Sequence, residues 1–210
     1  MSDSGRVEAF SDGVFAIAIT LLVLEIKVPP GAGDDLWAAL GHQWPSYAAY
    51  AVSFIVIGIM WANHHTVFGF IARVDRGLLF INLLLLMVVA ALPWPTALLA
   101  EYLREDKASH VAAAVYSGFM VAHAATFQAL WWWVTRTGHL FDERVDVPGA
   151  RATRLRFALG SVVYPITVGL SFVSAPLTLA VHGVLAVYYG FNQLPVPTKD
   201  PQAGASRSAA

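Results

Sequence analysis

Six stretches of this chain are apolar for long enough to cross a bilayer, and this constrains its fold more than any other feature. A helical span needs about 20 mostly apolar residues. The stretches cover residues 6–28, 46–71, 77–100, 110–134, 153–173 and 177–194. Only 13% of the chain is charged, against about 25% in soluble domains, so water could not solvate this much apolar surface. The expected fold is all-α: an integral membrane protein with six transmembrane helices in residues 1–194. The last two spans are separated only by "SAP" at 174–176 and should form a tight hairpin. Residues 30–45 are too polar to span; they read as a loop with a short interfacial helix, capped by Asp34 or Asp35 and anchored by Trp37 and Trp44. Residues 195–210 are small and polar and read as a disordered tail.

The basic residues set the expected orientation, because cytoplasmic loops are enriched in lysine and arginine. With six spans, the termini and the second and fourth loops share one side. That side holds Arg6, Arg73, Arg76, Arg136, Arg144, Arg151, Arg154, Arg156, Lys199 and Arg207, ten in all, while the other holds only Lys27, Arg104 and Lys107. Both termini are therefore expected in the cytoplasm, with "WWW" at 131–133 as an aromatic anchor near the inner surface. The first apolar run has no basic leader and no small-residue cleavage site, so it reads as a span and not as a signal peptide.

Several function classes have no support in the residues. The net charge is −1, which gives no reason to expect a nucleic-acid partner. There are no cysteines, so no thiolate metal site and no cysteine nucleophile. No "HExxH", "GxSxG" or phosphate-binding loop occurs, and "HH" at 64–65 is not a helical metal pair, because adjacent residues diverge by about 100°. No enzyme activity, metal or cofactor is expected. The potassium-filter string "TVGYG" is also absent.

Within the first span, "RVEAFSDGVFAIAITLLVLEI" carries Ser11, Asp12 and Thr20 among apolar residues. An ionisable side chain inside a span is costly and asks for a partner. At 1.5 Å of rise per residue, Asp12 lies about 9 Å in from Arg6, and His64 and His65 lie about 10 Å in from the end of the antiparallel second span. Asp12 and Ser11 therefore share a depth with "WANHH" at 61–65, and Trp61, His64 or His65 can supply the donor. Such a cluster reads either as interhelical glue or as part of an ion or proton path.

Further along, Ile17, Leu21 and Leu24 fall at i, i+4 and i+7 on one helix face. Asp12 lies about 140° round the helix from Ile17, so the two features address different neighbours. Periodicity alone cannot tell a packed stripe from a pore wall. Pro93 and Pro95 should break the third span and Pro165 should kink the fifth, since proline removes a backbone donor. His123 and His182 read as hydrogen-bonding partners of neighbouring helices.

Three motifs together resemble the transmembrane protein 175 family. Arg6, Phe10, Ser11 and Asp12 match its first-helix signature, "WANHHTVF" at 61–68 its second-helix motif, and "NLLLLMVVAALPWPTALL" at 82–99 its third. The resemblance implies a potassium-permeable cation channel in the plasma membrane of a prokaryote, passing K+ and other monovalent cations. It further implies a homotetramer whose central pore is lined by the first helix, with no cofactor. Ile17 would form the constriction, with Leu21 and Leu24 as further apolar layers and Thr20 as a hydroxyl layer. Arg6, Phe10, Ser11, Asp12, Trp61, His64 and His65 would form a structural network around the pore.

A ring of isoleucines offers no oxygen to replace an ion's water. Closed, it excludes water and gates by dewetting; open, it passes an ion only with its hydration shell partly stripped or squeezed. Potassium holds water more weakly than sodium, so modest potassium selectivity is expected, with proton passage compatible. Anion exclusion would come from elsewhere, with Glu25, Asp34 and Asp35 as candidates at the outer mouth. Two other classes compete: a proton-coupled transporter with an Asp12–His64–His65 relay, and, ranked last, a membrane-embedded hydrolase.

Overall fold

A computed structural model describes residues 2–29, 35–157, 159–191 and 196–199. It is mostly helical. A two-residue strand, β1 (Ser2–Asp3), leads into α1 (Ser4–Leu21), which tightens into a 3₁₀ turn at Leu22–Glu25. Next come α2 (Leu36–His42), α3 (Trp44–Phe68), β2 (Arg73–Val74), α4 (Arg76–Ala90) and α5 (Pro93–Tyr102). The chain continues with α6 (Asp106–Thr137), the short α7 (Val147–Ala152) and α8 (Arg154–Phe157), then α9 (Leu159–Ser171) and α10 (Ala175–Phe191).

Local chemistry sets most of these boundaries. Asp75 caps α4, its Oδ1 accepting the Leu78 N–H at 2.7 Å, and Asp146 caps α7 by accepting from Gly149. Asp35 caps α2, as expected, whereas Asp34 lies outside the described residues. The third apolar stretch breaks at Ala91–Leu92, and α5 starts at Pro93, where a missing N–H costs nothing. Pro165, by contrast, sits inside α9 without ending it. At Gly138 φ is +69°, a conformation that favours glycine, and α6 stops there. A Cβ on Gly77 would overlap the Trp133 ring, so only glycine lets that indole reach Asp75 at 3.1 Å.

Among the described residues, three segments are long and apolar enough to cross a membrane: Ser4–Glu25, Trp44–Phe68 and Arg76–Tyr102. Helix α6, with 32 residues, has the length but is less apolar. The apolar helices Gly160–Ser171 and Ala175–Gly190 are shorter. The core lies where α1, α3, α4 and α6 meet, around Phe15, Leu22, Leu78, Leu85 and Met120. Helix α9 runs along α6, and α10 packs against α3 and α9. A buried hydroxyl cluster ties three helices together: Thr96 donates to Ser53, whose hydroxyl lies 3.0 Å from that of Tyr116.

One end of the bundle is knitted from four loop segments. β1 pairs antiparallel with β2. The Ala72 and Arg73 N–H groups donate to the Leu140 carbonyl, and the Asp142 N–H donates to that of Phe70. Residues 196–199, expected within a disordered tail, are instead ordered. Val145 bridges to Thr198, Lys199 N–H donates to the Arg144 carbonyl, and Val196 is buried. Extended backbone can satisfy its polar groups there against the 142–146 loop, which low-hydropathy composition alone does not reveal. The tryptophan triplet at this end also divides. Trp131 is fully buried, Trp133 bonds to Asp75, and Trp132 is exposed beneath Arg136 at 4.9 Å.

Candidate functional site

Helix α1 has two unlike faces. Ser11, Phe15, Ala18 and Leu22 recur at i, i+4, i+7 and i+11 and are all buried against α3 and α4. Two of the four are small, which lets the helix backbones approach closely, and close packing drives helix association in a bilayer. Ile17 lies about 240° round from Ser11. It is 61% exposed, with Leu21 at 41% and Leu24 at 69%. The stripe that periodicity could not assign is therefore left largely uncovered by the described residues of its own chain. Phe10 is exposed as well, and Thr20, also exposed, turns its hydroxyl back to the carbonyls of Ala16 and Ile17. Arg6 is exposed and makes no hydrogen bond or ion pair among the described residues.

The polar residues expected to meet Asp12 divide into two groups. One is buried and links three helices. Ser11 donates to the Val7 carbonyl, Asn82 Nδ2 donates to Ser11 Oγ at 3.0 Å, and His64 Nε2 lies 2.8 Å from Asn82 Oδ1. An amide oxygen only accepts, so His64 Nε2 is the donor and carries the ring proton. Phe15 and Phe68 flank the imidazole, the latter stacked at 4.3 Å.

The other group runs along the exposed edge of the α1–α3 seam. Trp61 Nε1 donates to Asp12 Oδ1 at 2.9 Å, and His65 Nδ1 meets Glu8 Oε1 at 2.9 Å. Trp61 and His65 stack at 5.7 Å. Trp61 and His65 stand four positions apart, as do Glu8 and Asp12. In antiparallel helices these steps coincide, so the pairs form two rungs of a ladder. Asp12 has no hydrogen bond to either histidine among the described residues.

Asn82 and Glu8 were missed by the sequence reading, yet each had a signal. Asn82 is a lone amide in "FINLLLLMVV", about 9 Å in from Arg76 and thus at the depth of Ser11 and His64. Glu8 lies one turn before Asp12. At the opposite end of α1, Glu25 borders a polar depression of about 220 Å³ shared with Lys27, His42, Glu101 and Arg104. Lys27 pairs there with Glu101 at 3.4 Å. Glu25 thus shares its surroundings with two cations and a second carboxylate.

Comparison with known proteins places this arrangement. A "Potassium channel" of Streptomyces collinus is 76% identical over 204 residues, covering 97% of this chain and 99% of its own. The family described as endosomal/lysosomal potassium channel TMEM175 matches residues 6–93. The chain belongs to the TMEM175 family. A crystal structure of a lysosomal potassium-selective channel TMEM175 homolog from Chamaesiphon minutus superimposes with a TM-score of 0.80 at 44% identity, covering 90% of this chain and 96% of that one. The chicken "Endosomal/lysosomal proton channel TMEM175" is 36% identical over 136 residues, which are 60% of this chain and 27% of that protein. The residues matched by the TMEM175 family include α1 from Arg6 onward, the rungs at Trp61 and His65, and the buried Ser11–Asn82–His64 chain.

Proposed function

We propose that this chain is one subunit of a homotetrameric, potassium-permeable cation channel whose pore is lined by α1. One observation carries the reading: Ile17 and Leu21 on α1, continued by Leu24 in the 3₁₀ turn, form an exposed apolar stripe turned about 120° away from the buried face. In a fourfold assembly that stripe faces the axis, with Ile17 as the constriction and Thr20 as a hydroxyl layer. No charged side chain lies on α1 between Asp12 and Glu25, so the ring excludes water when narrow and acts as a hydrophobic gate. Dehydration then favours potassium over sodium. The name of the animal relatives supports protons among the permeant ions.

The network of Ser11, Asn82 and His64, with the rungs Trp61–Asp12 and His65–Glu8, holds α1 at a fixed rotation so that the stripe faces inward. Arg6 and Phe10 lie on the exposed side of α1 and belong to the contacts between subunits or with the pore entrance. Six spans, cytoplasmic termini and a prokaryotic plasma membrane complete the reading. The backbone pairing that brings β1 and residues 196–199 to one end of the bundle supports an even number of spans with both termini on one side. A relay through Asp12, His64 and His65 gains no support, because among the described residues Asp12 hydrogen-bonds neither histidine, and His64 belongs to a separate, buried group.

The test is bilayer current from purified protein under a potassium/sodium gradient, wild type beside Ile17→Ala. A reversal potential biased to potassium in wild type and collapsed in the variant is the expected result. A bias that survives the substitution removes Ile17 from the constriction.

A further inference from the structure

The side of α3 away from α1 borders a cavity that the pore reading does not use. It measures about 110 Å³ and lies between α3, α6, α9 and α10. Met60, Phe127 and Ala186 give it apolar walls, while Asn63, His123 and Tyr164 bring polar atoms to it. His123 is only 8% exposed, and its Nδ1 is buried without a partner. Neither its Nε2, the Asn63 amide nor the Tyr164 hydroxyl makes a hydrogen bond among the described residues. A buried polar group within a bilayer is costly when unpaired, and four helices converge to leave this one so. A half-open, largely apolar hollow with a few unspent polar groups has the make-up of a small-molecule site.

We infer that this cavity binds a small, uncharged aromatic molecule with one hydroxyl, which hydrogen-bonds to His123 while its ring packs between Met60, Phe127 and Ala186. The enclosed volume is somewhat below the ~150 Å³ of an apolar protein cavity that takes benzene, so the space suits a single ring whose substituents extend through the cavity's open side. The imidazole accepts a hydrogen bond from the hydroxyl at its unprotonated nitrogen, and such a ligand reaches the site by partitioning into the membrane. Helix α3 presents Met60 and Asn63 to the cavity and Trp61 and His65 to α1. Occupancy therefore bears on the same helix that holds the first helix in place.

The test is ligand binding by 19F NMR with 4-fluorophenol as probe, using the full chain in lipid nanodiscs and empty nanodiscs as reference. Saturable binding above the lipid background is expected for wild type. It should be lost in Ala124→Leu and in Ala186→Leu, which fill the cavity from α6 and from α10, with melting curves checking that each variant folds. His123→Phe should weaken binding about fivefold, the scale of one hydrogen bond, and fluorobenzene should bind wild type weaker by a similar factor. A wild-type signal equal to that of empty nanodiscs, or one unchanged in the folded filling variants, overturns the site. Equal affinity for fluorobenzene and 4-fluorophenol overturns the His123 contact. The readout needs no ion current, so it stands or falls separately from the pore.

Discussion

Asn82→Leu isolates the buried chain that fixes α1. Leucine has nearly the shape of asparagine, so the substitution removes polar contacts while opening little space. Two hydrogen bonds disappear, Asn82 Nδ2 to Ser11 Oγ at 3.0 Å and His64 Nε2 to Asn82 Oδ1 at 2.8 Å. Inside membranes such bonds contribute about 0.6 kcal/mol each on average and up to about 1.7, so the pair contributes about 1–3 kcal/mol. The His64 Nε2–H is also left without a partner in a residue only 1% exposed, and its Nδ1 already lacks one. Leaving a buried donor unsatisfied costs about 1–3 kcal/mol, part of which the membrane-measured bonds already contain. The expected loss is about 2 kcal/mol. Ser11→Ala breaks only one of the two bonds and should cost about half as much. The assay is reversible unfolding in mixed micelles, run as a double-mutant cycle of Ser11→Ala with Asn82→Leu. Stability of Asn82→Leu within about 0.5 kcal/mol of wild type, or strict additivity in the cycle, would refute the bridge as what holds α1.

Two further outcomes follow from the loops that close one end of the bundle. Gly77→Ala places a Cβ inside the Trp133 ring position and pushes the indole off Asp75, with an expected cost of about 1–3 kcal/mol in the same unfolding assay; an unchanged midpoint would show that the indole moves freely. Asp142 accepts from Arg144 Nε at 2.9 Å, and this bond holds its carboxyl below the ordinary carboxylate value. Its folded-state value is depressed, so whatever stability it lends is complete above the ordinary range and fades as pH falls through the depressed value. A 13C titration of that carboxyl should move up toward the ordinary value in Arg144→Gln, and identical titrations in both proteins would sink the assignment.

Much of the architecture was legible because helical periodicity and apolar length are local properties. Ser11 and Asp12 could be matched in depth to residues 61–65 from rise per residue alone, and the break before Pro93 follows from proline's missing N–H. The ordering of residues 196–199 was not legible, since it depends on loop 142–146 offering its backbone to a segment with no apolar run of its own.

The candidate site divides in the same way. The residues of α1 by themselves determined that Ile17 and Leu21 share a face and that Asp12 points elsewhere, because both statements concern one helix. Rotation about the helix axis and the choice of neighbours decided the rest. Depth made Trp61, His64 and His65 equal candidates for Asp12; the fold gave it Trp61, gave His65 to Glu8, and turned His64 to Asn82 on a third helix. Adjacent residues on α3 diverge by about 100°, so partners at one depth meet different helices. Only packing in three dimensions selects among them.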